Sequence, residues 1–388
     1  MKKLAQIEKI IPLIGNMLLP AFLFACALLS FCLQGTFSNT ATSVFHTGFY
    51  LLSFIGFLTL LYCNRGKPVF IFLLIALAYV LINFLKHLFG AEYAQSAAYI
   101  SLATLLPLNL LILYFLPAKR FFNKINIWIL LGIFAQFSLA ELLARHQVAL
   151  GISIYSPNTL NLVSLMIFII LLLTTLYNSA ISGSIADYNY FFTSLSVCLA
   201  FYYSDSASGL SIFCFCAVLI SLSALAQIIY NETYKDTLTG LDSRNYYIIH
   251  SKNLPFKYCV GVISIDDYDK LGINFGRRIQ NILTKLIARQ IINLEKDENI
   301  YRYDDDKFVI LYKNLDKNES FERLEIIRRA IASAQFEFST RHKPIKLTVS
   351  AGVSEKKRSD ANSFEVLARA DKAMRKIRAF SHNVTSKA

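Results

Sequence analysis

Charge is scarce in the first part of this chain. Of 388 residues only 17% are charged and 55% are hydrophobic, and the scarcity is uneven. Residues 1–230 hold 10 Lys+Arg and 5 Asp+Glu out of totals of 39 and 26, too few for an ordinary water-facing surface. Cysteine patterning is missing as well. The "CFC" of Cys214 and Cys216 has neither the spacing nor the histidines of a zinc site, and nothing suggests a disulfide framework. Cys26, Cys32, Cys63 and Cys198 also lie in or beside apolar segments, Cys259 stands alone in the polar half, and all are read as small apolar fillers. No A-x-A site follows the first apolar run, which is too long for a cleaved signal peptide. No GxxxG marks a helix-pairing face in residues 1–230, and the loops "QGTFSNTATS" and "SDSASG" contain neither Lys nor Arg.

What is present in residues 1–230 is a series of apolar runs, each near the roughly 20 residues that a helix needs to cross a bilayer core. About eight spans are predicted, at 10–33, 44–62, 68–89, 97–116, 125–144, 161–180, 190–204 and 209–230. Lys2, Lys3 and Lys9 precede the first; Arg65 and Lys67 follow the second; Lys119, Arg120 and Lys124 follow the fourth. Positive-inside logic then places both ends of this multi-pass segment in the cytoplasm of a bacterial inner membrane. Glu141 lies four residues before Arg145 and reads as an interfacial ion pair. Asn83, Asn109 and Gln136 read as polar groups that hold helices together.

Residues 231–388 carry the remaining charge and a net +8 of the total +13, with both signs interspersed, so no nucleic-acid surface is expected. Here the hydrophobic period alternates. "KYCVGVIS" reads as a buried strand, residues 277–293 as an amphipathic helix, and "NIYRY" with "KFVILY" as a hairpin. Residues 319–334 form another helix, "IKLTVSAGVS" another strand, and "SFEVLARADKAMRKIRAF" a last helix. Alternation over this length predicts one α/β domain behind a polytopic α-helical membrane domain, with the border at residues 230 and 231.

Five segments in order then resemble one family. "DTLTGLDSR" resembles D-x-L-T-G-L-x-N-R, "ISIDDYDKLGINFG" resembles D-I-D-x-F-K-x-I-N-D-x-x-G, and "YRYDDDKF" falls where R-Y-G-G-D-E-F belongs. "TVSAGVS" falls at T-x-S-x-G-V, and "ADKAMRKIRAFSHN" at A-D-x-A-L-Y-x-A-K-x-x-G-R-N. The polar half is thus similar to the GGDEF domain of diguanylate cyclases, which join two GTP into cyclic di-GMP. The resemblance implies a metal-assisted phosphoryl transfer between two facing domains, in which positioning and charge neutralisation are the main demands.

Position by position, the match departs from that chemistry. In Ser264-Ile265-Asp266, the first metal carboxylate is a hydroxyl, and only Asp266 remains acidic. Gly272 stands where the resemblance implies a guanine-reading Asn, and Asn281 where it implies an Asp, so selectivity for GTP should suffer. Asp304 and Asp305 replace two glycines that let backbone approach the nucleotide. Two unit charges 4 Å apart repel by about 4 kcal/mol at an effective dielectric of 20, so acids there oppose a triphosphate. Asp306 keeps one metal-binding acid, while Lys307 reverses the charge of the motif Glu. Arg378 matches a phosphate-binding Lys and His382 the following Arg; Asp236 and Arg244 match a pair that couples the incoming helix to the domain. The product-binding R-x-x-D falls on "EKDE", with Glu295 in place of Arg, so feedback binding of cyclic di-GMP is not expected.

The expectation is a membrane-bound protein of cyclic di-GMP signalling with a degenerate GGDEF domain, acting as receptor, scaffold or modulator. Its partners would be the bilayer, another signalling protein and a second copy of the chain. No cofactor is expected, and magnesium enters only with residual cyclase activity. The alternatives are an active cyclase that uses Asp266 and Asp306, a non-catalytic nucleotide switch that uses Arg378, and a transporter with a regulatory tail.

Overall fold

The computed structural model describes residues 2–36, 39–64, 66–90, 96–116, 123–145, 160–206, 208–336 and 345–388. The chain divides into two compact units, Met1–Ile228 and Ile229–Ala388.

The first unit is helical. Its elements are α1 (Lys2–Cys32), α2 (Asn39–Tyr62), α3 (Gly66–Phe89), α4 (Ala97–Phe115), α5 (Lys124–Arg145), α6 (Leu162–Ser182), α7 (Ile185–Tyr202) and α8 (Gly209–Tyr234), the last running on into the second unit. Local signals set several ends. Ser96 and Asn161 cap α4 and α6 by accepting from Tyr99 N and Ser164 N, and Gly183 closes α6 at φ 61°. All eight expected spans fall on helices, but only six of these (α1, α2, α3, α4, α6 and α8) are long and apolar enough to cross a membrane, among the described residues. The apolar stretch described in α5 is Lys124–Gln136. Helix α7 is short and dilutes its apolar side chains with Asp187, Asn189 and several hydroxyls.

Polar contacts tie these helices together, mostly not through the amides singled out above. Asn83 bonds the Tyr79 carbonyl of its own helix, whereas Asn109 Nδ2 and Gln136 Oε1 are buried without a partner among the described residues. Lys67 Nζ instead donates to Tyr114 O at 2.6 Å, Tyr79 OH pairs with Ser211 Oγ at 2.9 Å, and Asn161 Nδ2 donates to Thr104 Oγ1 at 3.2 Å. The side chains of Glu141 and Arg145, and residues Arg65, Lys119 and Arg120, lie outside the described residues.

The second unit holds a six-stranded sheet: β1 (Asp242–Ser243), β2 (Tyr258–Ile265), β3 (Asn299–Arg302), β4 (Lys307–Lys313), β5 (Val349–Glu355) and β6 (Thr385–Lys387), in the order β1-β3-β4-β2-β5-β6. Central β2 is antiparallel to both β4 and β5. Helices α9 (Arg244–His250), α10 (Tyr268–Leu294), α11 (Lys317–Ser333) and α12 (Ser363–Arg378) accompany it.

Strand β2 is buried along its whole length, which is why its sequence is continuously apolar rather than alternating. Its alternate residues feed two cores. Cys259, Ile263 and Ile265 join Leu283, Ile287, Leu324 and Ile327 of α10 and α11. Tyr258, Val260 and Val262 join Tyr247 of α9 and Val366, Ala370 and Met374 of α12. By this alternation Ser264 belongs to the α12 face. Gly352 lets α12 lie directly on β5, since a Cβ there would come within 2.3 Å of Ala370 O. Helix α10 starts earlier than its apolar period announces, and its backbone breaks at Gly276 (φ 78°, ψ 158°).

Candidate functional site

The residues carrying the motif converge at the C-terminal end of β2. The ladder sets Ser264 opposite Lys307 on one side and Ser350 on the other. Beyond β2 the chain turns through Asp267 in the left-handed region (φ 52°), helped by its short polar side chain, and enters α10. The β3–β4 hairpin brings Asp306 alongside, with Ile265 N donating to Asp306 O at 2.9 Å.

Ser264 is fully buried, and its Oγ donates to Asp306 Oδ2 at 2.7 Å. The same oxygen accepts from Arg378 Nη1 at 2.6 Å, while Arg378 Nη2 donates to Ile265 O at 3.1 Å. The guanidinium also lies 3.4 Å from Asp266 Oδ1 and 3.7 Å from Asp306 Oδ2. Arg378 therefore points into the sheet end and is not turned outward as a free phosphate contact. Asp266 is equally committed. Its Oδ1 accepts from Ser350 Oγ at 2.8 Å, and its Oδ2 from Thr348 Oγ1 at 2.8 Å and Asn383 N at 3.0 Å. Three hydrogen-bond donors and the nearby guanidinium take up most of the acceptor capacity of this carboxylate.

At the hairpin tip, Lys307 Nζ lies 3.2 Å from Asp371 Oδ1 of α12, and Asp371 also pairs with Arg375 at 2.8 Å. Asp304 and Asp305 face solvent and keep negative φ, so this tip makes no demand that only glycine meets. The side chain of Asp305 is 85% exposed, and water and salt screen most of the repulsion expected from bare Coulomb energy. The fit to magnesium is poor. One ligand position is a neutral hydroxyl already donating to the neighbouring acid, one is an ammonium, and Asp266 faces protein donors.

The position that the resemblance assigns to a base-reading Asn has another side chain beside it. A side chain on Gly272 would meet the Gln280 amide, whose Nε2 and Oε1 lie 3.1 Å from where a Cβ would be. Gln280 Nε2 instead donates to Tyr268 O at 2.8 Å. Asn281 follows on α10, half-buried. His382 lies 3.3 Å from Asp267, whose carboxyl is held below the usual range, first by its hydrogen bond to Lys270 and against a small burial effect.

At "EKDE", Glu295 and Glu298 share Arg323 of α11 at 3.1 Å each, and Glu295 also accepts from Tyr312 OH at 3.4 Å. Burial pushes both carboxyls up, and the attraction of Arg323 only partly offsets it.

The expected pairing of Asp236 with Arg244 is not formed. Asp236 instead holds Arg302, with Nη1 2.9 Å from Oδ2, and also accepts from Thr239 N and Thr239 Oγ1 at 2.7 Å. The reason is the parallel pairing of β1 with β3, which places Ser243 opposite Arg302 and brings the preceding turn to the guanidinium. Arg244 stacks on Tyr303, 4.8 Å from the ring centre. Burial raises the Asp236 carboxyl, but the bonds from Thr239 and Arg302 outweigh it and hold it below its ordinary value. Arg302, Gln280, Arg323 and Thr348 escaped the sequence reading. Arg302 and Thr348 had a signal, as the Arg of the hairpin motif and the Thr that opens "TVSAGVS".

Residues 233–383 match the family described as "Diguanylate cyclase, GGDEF domain". Among curated proteins, diguanylate cyclase DgcP of Pseudomonas aeruginosa is 28% identical over 116 residues, 30% of this chain. The chain spans only 17% of that relative's length. Among solved structures, the coiled coil and GGDEF domain of DgcB from Caulobacter crescentus, in complex with c-di-GMP, is 18% identical with a TM-score of 0.41, over 44% of this chain and 94% of that one. Diguanylate cyclase SiaD from Pseudomonas aeruginosa, in complex with its activator SiaC, is 16% identical with a TM-score of 0.38, over 59% and 92%. Residues 233–383 are a GGDEF domain, carried behind helices apolar enough to span a membrane.

Proposed function

We propose that this protein is a membrane-bound component of cyclic di-GMP signalling whose GGDEF domain does not make the dinucleotide and works through protein contacts, as a receptor, scaffold or modulator of another signalling protein. The observation that carries this reading is the hydrogen bond from Ser264 Oγ to Asp306 Oδ2 at 2.7 Å. Magnesium is held through one or two carboxylates together with waters and substrate phosphates, so each acid lost from a pocket weakens it. Here one has become a hydroxyl, and that hydroxyl occupies an oxygen of the other. Lys307, paired with Asp371, adds an ammonium where a further acid would help. The active-cyclase alternative would have to recruit Asp266, whose oxygens accept from Ser350, Thr348 and Asn383. The nucleotide-switch alternative would have to free Arg378 from Ser264 and Ile265. On this reading the membrane helices anchor the domain at the cytoplasmic face of the inner membrane, and no magnesium is required.

The test is turnover. The full chain, purified in detergent and incubated with GTP and magnesium, is expected to yield no cyclic di-GMP. Robust product formation that Asp306→Ala abolishes would overturn the reading.

A further inference from the structure

We propose that the Arg378 guanidinium is the resident cation of this pocket. It stands in for a divalent metal and fastens the C-terminal segment to the sheet. The inference rests on the non-catalytic reading of the site but makes a separate claim, about what neutralises Asp266 and Asp306 and what that does to the fold.

A guanidinium presents five N–H donors in a fixed planar fork. Arg378 directs Nη1 at Ser264 Oγ (2.6 Å), Nη2 at Ile265 O (3.1 Å), and lies 3.4 Å and 3.7 Å from the two carboxylates. One fork therefore touches the last two residues of β2, the acid that follows them and the acid of the hairpin tip. A magnesium ion would need near-octahedral oxygens at about 2.0–2.1 Å. The oxygens here are oriented by N–H and O–H donors instead. Ser264 has a single proton, which goes to Asp306, so its lone pairs are what Arg378 uses. Asp266, with its side chain only 2% exposed, receives its other donors from β5, from Thr348 just before it, and from the backbone of Asn383.

The consequence reaches beyond charge. Arg378 is the last residue of α12, and Asn383, in the left-handed region at φ 59°, opens the short path into β6. Arg378 and Asn383 N meet the same carboxylate, Asp266, and so clip both ends of the α12–β6 connection to the end of β2. A metal-loaded pocket would let the cation come and go. A covalently attached one keeps this connection closed at all times.

The experiment uses the full chain in detergent, with Mn2+ as the probe, counting bound ions by electron paramagnetic resonance and following backbone amides by hydrogen exchange. Wild type and Asp306→Asn should bind the same number of Mn2+, and EDTA should leave exchange of residues 348–350 and 383–388 unchanged. Arg378→Ala should speed exchange at 383–388 at least about tenfold, and Arg378→Lys, which keeps a charge but not the fork, should fall between. If Arg378→Ala does not fold, the Lys variant and the wild-type Mn2+ count still decide the matter. Adding Ser264→Asp to the Arg378→Ala or Arg378→Lys background should create one Mn2+ site that Asp306→Asn removes. Saturable Mn2+ binding to wild type that Asp306→Asn abolishes would sink the inference, as would exchange at 383–388 that is indifferent to both Arg378 variants. Cyclic di-GMP production by wild type would sink the non-catalytic reading, a different result read in a different assay.

Discussion

At the end of β2, the guanidinium of Arg378 lies among Ser264, Asp266 and Asp306; at the other pocket, the guanidinium of Arg323 lies between Glu295 and Glu298. Both are places where the resemblance would put a charged ligand, and both hold an arginine from a neighbouring helix. They differ in depth. Asp266 collects three further hydrogen bonds from protein donors, and nothing it needs comes from water. Arg323 is 42% exposed, and Glu295, buried against Tyr312, has its carboxyl pushed up despite that arginine. An internal ion pair stabilises a fold only when other hydrogen bonds complete the desolvated acid. The first pocket meets that condition, and the second meets it in part.

The largest effect should come from breaking the first pocket. Asp266→Ala leaves Ser350 Oγ, Thr348 Oγ1 and Asn383 N without their acceptor and takes one of two acids from beside Arg378, and should cost about 3–5 kcal/mol. The urea transition of residues 229–388, followed in the full chain, measures it. A loss below about 1 kcal/mol would mean that the two pockets are alike after all.

A smaller effect, dependent on pH, should mark the second pocket. The folded-state pKa of Glu295 is raised by burial, so folding favours the protonated form. The stability that this shift confers is present below the ordinary glutamate pKa and is lost as pH rises through the higher folded value. Glu295→Gln should therefore gain on wild type as pH rises above the ordinary glutamate range, with the difference levelling off once pH passes the raised folded value. A variant that instead falls behind wild type as pH rises would show that Arg323 governs the pair.

The smallest effect belongs to the tip. Asp304→Gly with Asp305→Gly alters exposed side chains on a backbone that already avoids positive φ. Stability should fall by about 1 kcal/mol, the freedom that two glycines add to the unfolded chain, and no cyclase activity should appear. Turnover in this variant and not in wild type would mean that the tip, rather than Ser264 and Lys307, decides whether the domain makes product.

Much of the domain was legible in the chain. The strands β2, β3 and β4 and the helices α11 and α12 announce themselves by their periods, and the hairpin by its three consecutive aspartates. Elements of two or three residues, β1 and β6, carry no period to read and form only because neighbours offer an edge. The span count was less secure. Helix α7 has the place of a span but mixes Asp187, Asn189 and hydroxyls into it, which a hydropathy reading cannot weigh without knowing what covers them.

For the site, sequence alone determined which side chains depart from the motifs that the domain resembles. Ser264 carries no charge, Lys307 carries the wrong one and Gly272 has no side chain, whatever surrounds them. Only the tertiary structure decided where the remaining charges went. The partners are distant in the chain: Arg378 is 114 residues from Ser264, Arg302 is 66 from Asp236, and Arg323 is 28 from Glu295. Each choice follows from strand register and helix placement, which aim a side chain at one acceptor and away from another. Composition has no access to that direction, so an arginine matched to phosphate binding turned out to face the acids beneath it.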